Sequence, residues 1–139
     1  MRDGFAIQAW SAIAPGLQTP SQWLAWLENP CLPQGALDMD LAHIPAMARR
    51  RLGHVAKLAV WAADQVLTQT ENHDALPVVW ASRYGDADKS LALLQSQAEQ
   101  APLSPTAFGL SVHNGVAGQH SILRSMRTNA VCVAASQTT

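Results

Sequence analysis

Apolar and polar residues follow one another along this chain in blocks whose period separates strands from helices. From Phe5 to Ile13 the run FAIQAWSAI alternates, with Phe5, Ile7 and Ala9 to one side, and Pro15-Gly16 closes it. That pattern predicts a first strand. Thr19-Pro20-Ser21 then opens a short helix, QWLAWLE, whose apolar residues are Trp23, Leu24, Trp26 and Leu27. Asn29 to Asp40, with two prolines and a glycine, reads as loop. The longest helical pattern runs from Pro45 to Thr70, where Leu52, Val55, Leu58, Ala59, Ala62 and Val66 recur at three- and four-residue steps.

Leu76 to Ser82 (LPVVWAS) is rich in β-branched residues and predicts a strand buried on both faces. A turn at Arg83 to Asp86 follows, and then an amphipathic helix from Asp88 to Gln100 through Leu91, Leu94 and Ala98. The last stretch carries a short apolar segment, FGLSV, an HNG corner at His113 to Gly115, and a helical run, VAGQHSILRSM. A basic break at Arg127 precedes a strand over Ala130 to Ala135, and Ser136 to Thr139 come after it. FGLSV, read as a strand, and the strand over Ala130 to Ala135, joined by the helical run, make a βαβ-type unit. The chain is therefore expected to be one α/β domain over residues 1–139, with chemistry placed just past the last strand.

Composition narrows the class. A chain of 139 residues that is 48% hydrophobic and 14% charged, with a formal net charge of −1, is globular and lacks the basic excess of a nucleic-acid binder. Few charges beside five tryptophans imply apolar surface covered either by a partner subunit or by a larger core. The tryptophans themselves are expected to pack. No segment has the make-up of a signal peptide or the length of a membrane span. Two distant cysteines, Cys31 and Cys132, form no disulfide framework, so a cytoplasmic location is expected. Cys132, between Val131 and Val133, reads as a small core residue.

Candidate chemistry is sparse. His43, His54 and His73 have no ligand spacing. Gly109, Gly115 and Gly118 make no phosphate loop. His113-Asn114 and His120 lack a nucleophile beside them and read as structural polar groups. Arg49-Arg50-Arg51 falls in the first turns of the long helix, where three cations oppose the backbone dipole. It reads either as a solvated face or as a docking patch for an acidic partner.

HNGVAGQHSI followed by LRSMRTNAVCVAASQTT resembles the N-terminal part of the β-ketoacyl-ACP synthases of the thiolase superfamily. The span ASRYGDADKSLALLQSQAEQAPLSPTAFGLSVHN resembles a subgroup found as partner subunits with aryl-polyene and related polyketide-type synthases. The resemblance is close from Trp80 to Thr139 and looser before that. It implies a thiolase-like αβα layered fold, the N-terminal half only, with a mixed sheet and helices on its faces, truncated at the elbow of the nucleophile. Counted without gaps from Asn114, Gly118 falls on the family's glycine, Arg127 on its arginine and Gln137 on its cysteine. A small residue is then expected at Gly118, where helix and strand pack closely, so that Gly118→Val should disrupt folding.

An amide is neither nucleophilic nor ionisable, so no acyl-enzyme forms at Gln137. What the resemblance implies is a non-condensing subunit of the chain-length-factor type, paired with a catalytic ketosynthase and working on acyl chains carried by acyl carrier protein (ACP), with no cofactor of its own. The other readings are an active condensing or malonyl-decarboxylating protein, with Gln137 holding a thioester carbonyl or Cys132 as nucleophile after a five-residue shift, and a structural remnant. Val131 and Val133 argue against Cys132, since apolar flanks raise a thiol's pKa and bar access.

Overall fold

The computed structural model describes residues 4–134, so Gln137 lies outside the described residues. Helix α1 (Pro20–Glu28) begins where proline at N1 presets the backbone. Thr19 and Gln22 cap it reciprocally, each side chain accepting from the other's backbone N–H. Its two tryptophans do pack. Trp23 Nε1 donates to the Ala12 carbonyl at 3.0 Å and Trp26 Nε1 to that of Cys31 at 2.7 Å, with the rings edge to face.

The long helical pattern breaks in two: α2 (Ala46–Arg51) and α3 (His54–Leu67). Leu52 turns extended (φ −69°, ψ 124°) and drops into the core, and Gly53 starts α3. The break relocates the arginines. Arg49, Arg50 and Arg51 form the last turn of α2, where cations complement the dipole instead of opposing it. The buried stripe of α3 is also rotated from the expected one. It consists of Ala56, Val60, Trp61 and Asp64, whereas Val55 is exposed.

Strand β1 (Val78–Ala81) follows a single 3₁₀ turn at His73–Ala75. Helices α4 (Ala87–Ala98), α5 (Pro105–Ser111) and α6 (Gly115–Arg124) come next, and then strand β2 (Ala130–Val133). FGLSV is thus helical, not a strand. Ser104 caps α5 by accepting from the Ala107 N–H at 3.2 Å, and Pro105 presets its first turn. The parallel partner of β2 is β1, in register Val78↔Ala130 to Ala81↔Val133, with all three helices in the crossover.

Phe5 to Ile13 forms no strand, and Phe5 and Ile7 stay exposed. Among the described residues no neighbouring edge receives it. Nor is β1 buried on both faces. Trp80 and Cys132 are half-buried on the inner face, while Val79, Val131 and Val133 stand exposed on the outer one.

The core gathers Leu41, Ile44, Leu52, Ala56, Val60 and Trp61, with Val116 and Leu123 of α6 packed against it. Trp80 on β1 meets His120 on α6, and His120 faces Asp64 on α3, so α6 lies between the sheet and α3.

Candidate functional site

The polar centre of the described residues is Asp64. It occupies a buried position of α3, four residues after Val60 and eight after Ala56, so helix periodicity carries a carboxylate into the core. Arg124 in the last turn of α6 answers it with two parallel bonds, Nε to Oδ1 at 2.6 Å and Nη2 to Oδ2. His43 Nε2, from the loop before α2, is 3.0 Å from Oδ2. His120, wholly buried, points Nε2 at Oδ1 from 3.5 Å. That is an ion-pair separation, too long for a good hydrogen bond, and it leaves this nitrogen the least satisfied of the group.

Burial alone would raise the Asp64 carboxyl's pKa. The contacts from His120, Arg124 and His43 and the charge of Arg124 outweigh it and hold the group well below the usual carboxylate range. The Asp64 carboxylate in turn raises Arg124. Chemically the cluster is an ion pair with two imidazoles, charged at any ordinary pH and already engaged. It borders an open cleft of about 540 Å³ that His73 and Asp40 also line. No group of three or more His, Cys, Asp or Glu among the described residues is placed to hold a metal ion.

The residues singled out from sequence are not brought together. His113 is exposed, with Nε2 3.4 Å from the Arg83 carbonyl, and Asn114 starts α6 without a side-chain cap. Arg127 is exposed beyond the left-handed residue, Ser125, that ends α6. Gly118 is also exposed, and a Cβ there would meet nothing within 4 Å, so the expected close packing is absent. The tight glycine is Gly115, whose Cβ would come 2.8 Å from the Leu110 carbonyl oxygen. Cys132 is half-buried beside Trp80 on the inner face of the sheet. Arg49 is tied to the Leu41 carbonyl at 3.1 Å, whereas Arg50 and Arg51 are exposed.

Sequence reasoning passed over Asp64, Arg124 and the pairing of His43 and His120 with them. One signal was readable: an acid in step with the apolar stripe of a helix demands a partner.

The described residues thus hold a parallel strand pair joined by a helical crossover, an α/β arrangement. Residues 23–139 match the family model of the β-ketoacyl synthase N-terminal domain, and the chain belongs to that family. Among solved structures it is similar to a chain of the ketosynthase ApeO in complex with its chain length factor ApeC from Xenorhabdus doucetiae. The match has 31% identity and a TM-score of 0.83 over 94% of this chain. The chain spans 55% of the length of that relative. Among curated proteins none matches.

Proposed function

We propose that the chain acts as a non-catalytic, chain-length-factor-type subunit that pairs with a catalytic ketosynthase and helps bound the acyl chain carried by ACP. The observation that carries this reading is Gln137, which the resemblance places where the family keeps its nucleophilic cysteine. The structure supports it at one remove. Cys132, the nearest sulfur in sequence, is half-buried beside Trp80 with its strand intact, a poor setting for an accessible thiolate. A relative that itself occurs as a ketosynthase with its chain length factor supports the choice of partner. Within this reading Arg50 and Arg51, exposed at the end of α2, form the patch that meets the acidic carrier protein, and Arg49 props the loop at Leu41. No helix among the described residues is long and apolar enough to cross a membrane; the proposed setting is the cytoplasm.

The test is co-expression with a candidate ketosynthase, followed by mass spectrometry after mixing with acyl-ACP. Co-purification that persists across salt conditions, with acyl groups found only on the partner, is expected. A stable acyl adduct on Cys132 would overturn the non-catalytic reading. Failure to co-purify would favour a structural remnant.

A further inference from the structure

We propose that the Asp64–Arg124 pair is a register lock: it fixes the seat of α6 on α3, and through α6 the position of β2, without adding net stability. The apolar residues around it are Ala56, Val60 and Trp61 on α3 and Ala117 on α6, with Val116 and Leu123 of α6 packed on the same core. Apolar contact is non-directional, so a slide of α6 by one turn, roughly 5.4 Å, could exchange these contacts for others.

The slide is forbidden by charge. It would strip Arg124 from a carboxylate that is only 6% exposed and leave that group buried and uncompensated. A buried ion pair is itself often no more stabilising than apolar residues of its size, so what it contributes is the choice of arrangement. His120 extends the lock to the sheet, because its ring stands between Asp64 and the edge of Trp80, 5.2 Å away centroid to centroid.

The link from α6 to β2 is short. Residues 125–129 connect them, beginning at Ser125 with φ 53°. A shift of α6 is therefore passed on to β2. In the observed register the Val78 N–H donates to the Asn129 carbonyl and the Ser82 N–H to the Val133 carbonyl, each at 3.0 Å. The inference does not depend on the partner role proposed above.

The experiment compares the chain with an Asp64→Leu/Arg124→Leu double variant by thermal unfolding and amide exchange. The double variant is expected to melt at or above the parent's midpoint. Its amides at Val78 and Ser82 should exchange at least tenfold faster, with duplicated resonances for Ala130 to Val133. A Val60→Ala control should lower the midpoint without that duplication. A single sharp set of β2 resonances with unchanged exchange in the double variant would overturn the lock. So would a midpoint well below the parent's, which would make the pair a stabilising contact, or duplication in the control.

Discussion

Two glycines three residues apart at the start of one helix carry opposite constraints. At Gly115 an added Cβ would press on the Leu110 carbonyl oxygen, and backbone cannot move aside as a side chain can. At Gly118 the same atom would enter open space. Gly115→Val should therefore cost about 1–3 kcal/mol, and Gly118→Ala should be neutral or stabilising by up to about 1 kcal/mol. Urea unfolding of the two variants checks both. Alignment to a family motif had pointed to Gly118, because a motif reports position in sequence and not the atoms opposite.

Asp64 makes a second prediction at this scale. Its folded pKa lies below the ordinary 3.8, so its contribution is fully present above that value and is lost as pH falls through the acid range below about 4. The thermal midpoint should drop over that window. In Asp64→Asn the drop should shrink, from a neutral-pH stability already lower by about 2–3 kcal/mol.

At the scale of elements, helix and strand type were legible wherever local chemistry and period agreed. Thr19-Pro20 opened α1 as its residues demand, and the helices around Leu91 and His120 fall within a residue or two of their expected bounds. The failures share a cause. A single glycine in a long stripe hid the break at Gly53, and the short segment FGLSV hid α5 although Ser104-Pro105 is a helix start.

The break is enforced by tertiary contact. A Cβ at residue 53 would lie 2.3 Å from Oδ2 of Asp86, the buried cap of α4, and 3.1 Å from Lys89 Cε. Gly53→Ala should lower stability by about 1–3 kcal/mol, measured as a shift in the denaturant midpoint at unchanged slope. Asp86 Oδ2 has no hydrogen-bond partner among the described residues, and displacing it means moving a buried carboxylate.

For the whole molecule, the family was legible in the last sixty residues, through rare combinations at fixed spacing. The polar cluster was not, because nothing in a linear pattern brings Asp64 to Arg124. The chain's accessible surface is 10254 Å², against about 7000 Å² for a compact monomer of 14.9 kDa. Leu94, Phe108, Val79 and Val131, each more than half exposed, contribute to that excess. Apolar side chains exposed to this extent are surfaces suited to burial against other protein.

The pairing of β1 with β2 also sets an order of events. Val78 and Ala130 are 52 residues apart in sequence, and no turn brings them together. Helices α4, α5 and α6 draw on near-neighbour contacts and can form early, whereas the strands must first close a long loop against chain entropy. The two strands are therefore expected to be the late step in folding, arriving after the crossover has brought their ends within reach.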